Sequence, residues 1–330
     1  MATISDVVKQ SGISKSTVSR VINNHPNVSK EKREKVLRAM EELSYTPNLA
    51  ARKMRGEVKS SIGLIIPRVV NPFFSYLMDA IEQKASEHGM QVVFLQTREQ
   101  PEKELEFLKM LELKQIDGLI FTSIENDLPV LRSFKEYGPL VFCNEYLDAP
   151  DIPVVRIDNE KAAYDGTTHL IARGYSNIAY CTGGLFAEEG KDRDRNRGFQ
   201  RALKEAGLSV NPEWVFTDKH TMEDGAQVLG RILAMTSRPD AIFTGSDEVA
   251  AGITAAAREH EIRIPDQLAV LGFDNQPLSR LTFPQLSTVE QPVKQMGELA
   301  AELMIDLFEG KELRQAVYEL PVSIIQREST

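Results

Sequence analysis

The sequence predicts an all-α head of three short helices followed by an α/β core of two lobes, each built on a doubly wound parallel sheet. Apolar residues recur at helical spacing within residues 1–47, and from residue 61 strand-like apolar runs alternate with helical segments. Residues 1–60 hold 12 Lys and Arg against 6 Asp and Glu, a net charge of +6, whereas the rest of the chain carries 27 against 42, a net charge of −15. A basic head on an acidic body is typical of a module that binds a polyanion.

The head contains a helix-turn-helix pattern. A hydroxyl and a carboxylate at capping spacing, Thr3 and Asp6, begin the first helix, and Ser14 can cap the second. Val18 and Val21 then lie on the inner face of the second helix, which leaves a polar and basic face exposed. We therefore predict a helix-turn-helix domain over residues 1–47 and a hinge helix with its linker over residues 48–60.

The core contains two successive strand-helix sets, which predict two lobes with a cleft between them. We assign residues 61–159 to the first lobe and residues 160–290 to the second. Residues 291–330 offer one helix and strand-rich stretches, and we expect them to cross back to complete the first lobe. Doubly wound sheets hold ligands in the crevice at the carboxyl ends of their strands, so a binding site is expected there.

Several classes of protein are disfavoured. The sequence has no Walker-type phosphate loop, no Gly-x-Ser-x-Gly elbow and no histidine pair at metal-ligand spacing, so we expect neither an enzyme nor a cofactor or metal. Cys143 and Cys181 lie in apolar runs and are interpreted as buried, reduced thiols. With no apolar stretch of membrane length and no secretion signal at the N-terminus, the expectation is a cytoplasmic protein without a membrane partner.

Motifs along almost the whole chain resemble those of the LacI/GalR family of bacterial repressors. In the head they are Ala2-Thr3-Ile4, Gly12-Ile13-Ser14, the run from Ser16 to Asn23, and Tyr45-Thr46-Pro47-Asn48; in the core they include Asn71-Pro72-Phe73-Phe74, Asp117-Gly118-Leu119-Ile120 and Gly272-Phe273-Asp274. Phrases such as SDEVAAGI at 246–253 are nearest to the catabolite-control branch. The resemblance implies a DNA-binding head, a hinge helix, a core of the periplasmic binding protein type I kind, and a homodimer on a palindromic operator in double-stranded DNA.

The second helix of such a head places its first residues against base edges in the major groove. Lys15, Ser16 and Arg20 are therefore the predicted base readers, and the neighbouring hydroxyl and amide groups are expected to hold phosphates. Any three-helix bundle can show similar spacing, which is the competing interpretation. The predicted DNA-binding residues are Thr3, Lys15, Ser16, Thr17, Ser19, Arg20, Asn23, Asn48, Ala51, Arg52, Met54 and Arg55.

The hinge is too short and polar to form a stable free helix, so we expect it to fold on DNA. In the family a hinge side chain, usually leucine, wedges into a central base step, and Met54 occupies that position here. Arg52 and Arg55 would contact phosphates or the groove. For Lys53 a merely solvated linker charge remains the alternative.

The resemblance also places the effector site at strand ends. The predicted residues are Phe73, Thr122, Asp158, Arg195, His220, Ser246, Asp247 and Asp274. An arginine flanked by carboxylates suits a sugar or a sugar phosphate. Ser246 stands where the family usually has asparagine, and His220 is either a surface-loop histidine or a residue that stacks on the ligand.

Three functions compete. The first is a repressor of carbohydrate or catabolite genes whose operator affinity is switched by the effector; the second is a sugar-binding receptor that has acquired a head. The third is a regulator controlled by a phosphoprotein corepressor docked on the first lobe, for which Lys294 offers little support. In the family a leucine-heptad tail makes tetramers, and no such repeat follows the core here, so we expect a dimer. Its interface is expected to include residues 73–88 and 250–260. The apolar side chains of these two segments are equally explained as core.

Overall fold

The computed structural model describes residues 2–22, 25–43, 45, 60–146, 149–187 and 192–330. The head and the core form two compact units, and each is described by itself.

The head consists of three helices around a small apolar core. They are α1 (Ile4–Ser11), α2 (Lys15–Ile22) and α3 (Lys30–Glu42). The capping box predicted at Thr3 is present, since its hydroxyl accepts from the Asp6 amide while Asp6 accepts from the Thr3 amide at 2.8 Å. Gly12 ends α1 in the left-handed conformation, with φ of 66°, and so turns the chain toward α2. Val7, Val18 and Val36 are fully buried where the three helices meet.

The first lobe is a six-stranded, parallel sheet flanked by helices. Its strands are β1 (Ser61–Ile66), β2 (Gln91–Gln96), β3 (Gly118–Phe121), β4 (Leu140–Cys143), β5 (Val154–Ile157) and β11 (Val317–Leu320), and their order is β11-β5-β4-β3-β1-β2. The helices are α4 (Pro72–Glu87), α5 (Pro101–Glu112), α6 (Leu128–Ser133) and α11 (Val293–Phe308). Strands β1, β3 and β4 are buried on both faces, as their continuous apolar sequences predict.

The second lobe is likewise built on a six-stranded sheet flanked by helices, which is parallel except for its last strand. Its strands are β6 (Ile178–Cys181), β7 (Val215–Phe216), β8 (Ala241–Thr244), β9 (Ala269–Asp274), β10 (Ser287–Glu290) and β12 (Ser323–Ile325), in the order β12-β10-β9-β8-β6-β7. The helices are α7 (Asn159–Ala172), α8 (Arg193–Glu205), α9 (Met222–Ala234) and α10 (Asp247–Glu259), with short 3-10 helices at Pro212–Trp214 and Pro277–Arg280. Together the two sheets confirm the predicted fold class.

The C-terminal segment departs from the prediction that residues 291–330 all belong to the first lobe. Helix α11 does pack against α4, and β11 pairs in parallel with β5. The chain then returns to the second lobe, where β12 pairs antiparallel with β10 and the Val270 amide donates to the Ser329 carbonyl. The reason is that Ser329 is fully buried and bonds to backbone groups of β10 and β9, the Ser287 amide and the Val270 carbonyl.

Helices α9 and α10 approach each other closely on the outside of the second sheet. A methyl group at Gly252 would lie 2.0 Å from the Met222 carbonyl oxygen, and one at Gly225 would lie 2.2 Å from the Val249 carbonyl oxygen. Only glycine fits at these two positions, and this contact sets how tightly the two helices pack. Within the part of the chain that the structure describes, no helix combines the length and hydrophobicity that crossing a membrane requires.

Both cysteines lie where the sequence places them, in buried strands. Cys143 ends β4, Cys181 ends β6, and both are free thiols. Burial raises the pKa of each, that of Cys181 to about 12, so both thiols are protonated at neutral pH.

Candidate recognition helix and ligand cleft

Helix α2 presents a polar, basic face to solvent. Lys15, Ser16 and Arg20 are exposed, whereas Thr17 and Ser19 are half-buried. The Ser14 hydroxyl shares hydrogen bonds with those of Ser16, at 3.2 Å, and Thr17, at 3.0 Å, at the start of the helix. The three predicted base readers therefore lie at one accessible surface.

Thr3 occupies the helix cap of α1. It is exposed, but its hydroxyl already shares hydrogen bonds with the Asp6 amide and carboxylate. Asn23, Asn48, Ala51, Arg52, Met54 and Arg55, the remaining predicted DNA-binding residues, lie outside the described residues, and so does the predicted hinge up to residue 59.

A cavity of about 560 Å³ lies at the carboxyl ends of strands from both sheets. Both lobes contribute to its wall, and its volume is typical of a small-molecule site. Six of the eight residues predicted for the effector site line it: Phe73, Thr122, Arg195, His220, Ser246 and Asp274.

Arg195 is held in place from three sides. Its Nε donates to Asn159 Oδ1 at 3.0 Å, one terminal nitrogen donates to the Gly245 carbonyl at 3.1 Å, and the guanidinium lies 3.9 Å from the centre of the Phe273 ring. A guanidinium fixed by hydrogen bonds and an aromatic face presents its remaining N–H donors in one geometry. Arg195 is thus preorganised to donate to an oxygen of a ligand.

Asp274 lies at the end of β9 and is 8% exposed. Its two oxygens accept from Gln291 Nε2 at 2.7 Å and Gln276 Nε2 at 2.9 Å. Burial raises the pKa of Asp274 to about 6, while the charge of Arg195 and the two amide hydrogen bonds oppose that rise. The carboxylate is therefore mostly ionised at neutral pH and can accept hydrogen bonds from a ligand.

Contrary to the prediction, Asp247 and Asp158, the other two predicted effector residues, do not line the cavity. Asp247 is fully buried behind the cleft, where its oxygens accept from the Thr288 hydroxyl at 2.6 Å and the Gln276 amide at 2.7 Å. Asp158 caps α7 by accepting from the Lys161 amide at 2.8 Å. Both side chains are committed to the protein's own N–H and O–H groups.

Ser246 and His220 line the cavity, and the side chain of each already contacts a polar group of the protein. The Ser246 hydroxyl caps α10 by accepting from the Val249 amide at 3.3 Å. The His220 ring is half-buried against Gly183, and its Nε2 lies 3.4 Å from an Asp218 carboxylate oxygen. This packing favours the interpretation of His220 as a wall residue of the cleft over a free surface-loop histidine.

Several lining residues were not predicted. They are Glu125, Asn144, Glu145, Tyr146, Asn159, Asp192, Lys219, Glu248 and Gln291. Asn144 and Glu145 directly follow the buried strand β4, so a strand-end position, like that of Asp274 on β9, could have indicated them. Gln291 follows β10 in the same way. Tyr146 and Lys219 carry no such signal, since they lie on loops whose course depends on the neighbouring strands.

Metal ligation finds no support at this cleft. Among the residues that the structure describes, no three His, Cys, Asp or Glu side chains are grouped so that they could hold a metal ion. The polar groups of the cavity are instead spread over both walls, which suits a ligand with several hydrogen-bonding groups.

A helix-turn-helix head joined in one chain to a two-lobed core with a polar cleft defines the class of ligand-sensing bacterial transcriptional regulators. The model of "Bacterial regulatory proteins, lacI family" matches residues 3–48, and that of "Periplasmic binding proteins and sugar binding domain of LacI family" matches residues 59–328. The chain belongs to the LacI family.

Individual relatives extend over the whole chain. The NTD biosynthesis operon regulator NtdR of Bacillus subtilis is 39% identical over 100% of both chains, and Catabolite control protein A of Priestia megaterium is 34% identical over 99% of both. These comparisons establish the family, and the catabolite-control branch stays an interpretation.

Solved structures show the same architecture. A LacI family regulator from Lactobacillus casei with bound glucose is 31% identical, with a TM-score of 0.76, and the match covers 82% of this chain and all of that one. The lac repressor dimer bound to operator and an anti-inducer is 26% identical, with a TM-score of 0.79, over 99% of this chain and 98% of that one.

Proposed function

We propose that this protein is a sequence-specific DNA-binding repressor of carbohydrate or catabolite genes, whose operator affinity is switched by a small sugar-like effector bound in the cleft. The observation that carries the proposal is the cavity itself, in which Arg195 and Asp274 meet among groups from both lobes. The glucose-bound Lactobacillus casei structure supports a sugar-like ligand, and the operator-bound lac repressor dimer supports a homodimer that binds operator DNA. No catalytic step is assigned to the cavity.

The switch follows from a ligand that contacts two lobes at once. A ligand that binds one relative arrangement of the lobes more tightly than another shifts the population toward that arrangement. In a homodimer such a shift alters the spacing of the paired heads and orders or releases the hinges, residues 48–60.

The phosphoprotein-corepressor alternative has less support. A docking site for a phosphoprotein needs basic side chains that can pair with phosphate. Lys294 on α11 lies 3.7 Å from Glu298, and Lys311 lies 2.7 Å from both Asp306 and Glu309. These lysines are already neutralised by carboxylates of their own segment, so we favour the small-molecule switch.

The test is fluorescence-anisotropy titration of the full-length protein with a palindromic DNA from near its own gene, with and without a panel of sugars and sugar phosphates. The Arg20→Ala variant should lose about 1–3 kcal/mol of specific binding, because an arginine on this face can pair with a guanine edge. The Lys35→Ala variant is the matched control, since Lys35 lies on α3 and pairs with Glu31 at 2.9 Å.

Specific binding that Arg20→Ala weakens, Lys35→Ala retains and one sugar changes would support the proposal. Specific binding that no sugar in the panel changes would shift the assignment to the corepressor alternative. Equal affinity for the palindrome and for a scrambled duplex would exclude the DNA-binding function.

A further inference from the structure

Arg195 and Asp274, the charged pair proposed to hold the ligand, belong to the same lobe. Arg195 lies on α8 and Asp274 ends β9, both in the second lobe. A ligand changes the arrangement of two lobes only if it binds one arrangement more tightly than another. Contacts within a single rigid lobe are the same in every arrangement, so these two side chains need a connection to the first lobe before they can contribute to a switch.

Arg195 is hydrogen-bonded to a residue at the first place where the chain passes between the lobes. Strand β5 ends at Ile157 in the first lobe and α7 begins at Asn159 in the second, so Asp158 alone forms this first passage. Arg195 Nε donates to Asn159 Oδ1 at 3.0 Å, and Asn159 is 5% exposed and lines the cavity. The guanidinium is thus fixed directly to the residue that follows the first passage.

Asp274 is hydrogen-bonded in the same way to the next place where the chain crosses. Strand β10 ends at Glu290 in the second lobe and α11 begins at Val293 in the first, which leaves Gln291 and Pro292 between them as the second passage. Gln291 Nε2 donates to Asp274 Oδ1 at 2.7 Å, and the side chain of Gln291 is buried. Each of the two charged groups is therefore connected to a different link between the lobes.

Both passages are short, so few backbone torsions can absorb a relative movement of the lobes. The first consists of Asp158 alone and the second of Gln291 and Pro292, and the elements on either side are packed into their lobes. Proline fixes its own φ and confines the residue before it to extended conformations, so Pro292 restricts Gln291 further. A movement about either passage therefore redirects the side-chain amide of Asn159 or of Gln291.

Redirecting these amides alters the hydrogen bonds that orient the charged pair. A hydrogen bond weakens steeply as its angle departs from linearity, so the positions of the Arg195 guanidinium and the Asp274 carboxylate follow the two passages. By reciprocity, a ligand that prefers one position of these groups favours the matching conformation of the passages. The two hydrogen bonds thus provide a direct route from the ligand to the arrangement of the lobes.

A second hydrogen bond to Asp274 serves as an internal comparison. Gln276 Nε2 donates to Asp274 Oδ2 at 2.9 Å, and Gln276 is as buried as Gln291, each being 4% exposed. Gln276 follows β9 inside the second lobe and lies at neither passage. The two glutamines therefore make the same kind of bond to the same carboxylate, and they differ in whether they connect it to the first lobe.

We infer that Asn159 and Gln291 are positioning residues, which transmit ligand binding at Arg195 and Asp274 to the passages between the lobes. The inference rests on the proposed function, since it assigns the residues through which the same cleft would control operator affinity. Without these two hydrogen bonds the cleft still binds its ligand, but binding distinguishes less strongly between the arrangements of the lobes.

The test measures coupling and ligand affinity separately in the full-length protein. Operator affinity is determined by fluorescence anisotropy without and with saturating ligand, and the ratio of the two dissociation constants is the coupling. The ligands tried are glucose, sucrose, cellobiose and glucose 6-phosphate, and the one that changes wild-type operator affinity most is the probe. Isothermal titration calorimetry measures the affinity for the probe itself. A merely structural role alters folding or probe affinity and leaves the coupling at saturation unchanged.

Gln291→Met and Gln276→Met form a matched pair. Methionine is similar in length to glutamine and has no N–H group, so each substitution removes one hydrogen bond to Asp274. We expect Gln291→Met to reduce the coupling at least about fivefold, and Gln276→Met to keep it within about twofold of the wild-type value. Both variants are expected to weaken probe binding to a similar extent, since each leaves Asp274 with one amide partner.

Asn159 provides an independent pair. Asn159→Leu removes the oxygen that accepts from Arg195 Nε, whereas Asn159→Asp retains an oxygen at the same place along the side chain. The leucine variant should lose at least about fivefold in coupling, and the aspartate variant should keep it. Thermal unfolding of all four variants separates lost coupling from lost folding, and either pair alone tests the inference if a variant of the other does not fold.

The outcomes are distinct. If Gln276→Met loses as much coupling as Gln291→Met, the connection to the first lobe is not what matters, and the inference is overturned while the proposed function stands. It is also overturned if Gln291→Met and Asn159→Leu fold and keep the wild-type coupling. If none of the four ligands changes the operator affinity of the wild type, the proposed sugar switch itself fails, and the inference fails with it.

Discussion

Two buried carboxyl groups of the second lobe, Asp247 and Asp274, lie close enough to influence each other's ionisation. Burial, and after it the charge of Asp274, raise the pKa of Asp247 to about 8, against the opposing effect of hydrogen bonds from Thr288 and Gln276. In the unfolded state the Asp247 carboxyl has its ordinary pKa of 3.8, so it loses its proton at a lower pH than in the folded state. The free energy of unfolding therefore decreases as pH rises between these two values, and the loss is complete above the folded-state pKa.

The Asp247→Asn variant should flatten this pH dependence, because asparagine stays neutral throughout. For the wild type we expect the free energy of unfolding to be roughly 2 kcal/mol lower at about pH 9 than at about pH 6, and for Asp247→Asn a clearly smaller difference. Thermal unfolding at the two pH values measures this difference in the free energy of unfolding. Asp266→Asn, which changes a carboxylate that is 69% exposed, is the control and should follow the wild type. If the free energy of unfolding of Asp247→Asn decreased with pH as steeply as that of the wild type, Asp247 would not be the source of the pH dependence.

The roles of these two acids show what a sequence can predict about single residues. Asp274 was predicted from the family resemblance together with its position at the end of a buried strand, where ligands of doubly wound sheets bind. Asp247 follows a strand in the same way, yet it is enclosed by groups distant in sequence: a methyl group at Gly272 would lie 2.1 Å from its Oδ1, and Thr288 donates to it. Burial of this kind depends on which strands become neighbours, so the local pattern could not separate the two acids.

At the scale of elements, the contact between α9 and α10 rests on two glycines. Gly252→Ala would place a methyl group 2.0 Å from the Met222 carbonyl oxygen, so the helices must separate. We expect this substitution to cost about 1–3 kcal/mol of stability, as overpacking does.

Gly230→Ala is the matched control. It lies in α9, the helix that packs against α10, is exposed, and has no atom within 4 Å of an added methyl group. Because alanine is the better helix former, this variant should be neutral or up to about 1 kcal/mol more stable. Urea unfolding of both variants measures the difference, and equal effects of the two substitutions would rule out close packing as the cause.

Most elements follow from periodicity, and the exception is instructive. The alternation of apolar runs with helical segments predicts the two successive sets of strands and helices that form the lobes, because strands buried on both faces are almost continuously apolar. The strand β12 was placed in the wrong lobe. Its three residues, Ser-Ile-Ile, are half-buried or exposed and fit the edge of either sheet. The strand β12 belongs to the second lobe because it pairs with β10 and because Ser329, which follows it, is buried against the same sheet.

At the scale of the whole molecule, three chain passages join the lobes. Within the described core the chain passes from β5 to α7, from β10 to α11 and from β11 to β12. Because these three passages are the covalent links between the lobes, the lobes can move relative to each other about them while each sheet stays intact. A ligand that bridges Phe73 and Thr122 on one side to Arg195 and Asp274 on the other would bias that motion.

The measurement that tests the central claim most directly is the effect of Asp274→Asn on the coupling between ligand and operator. The panel sugar that changes operator affinity is titrated against the protein–operator complex, for the wild type and for the variant, with anisotropy as the readout. We expect ligand-free operator affinity to stay within about twofold, and the sugar concentration needed for the response to rise at least about tenfold, because a buried carboxylate partner is lost. An unchanged ligand response in a folded Asp274→Asn protein would show that the switch does not operate through this cleft.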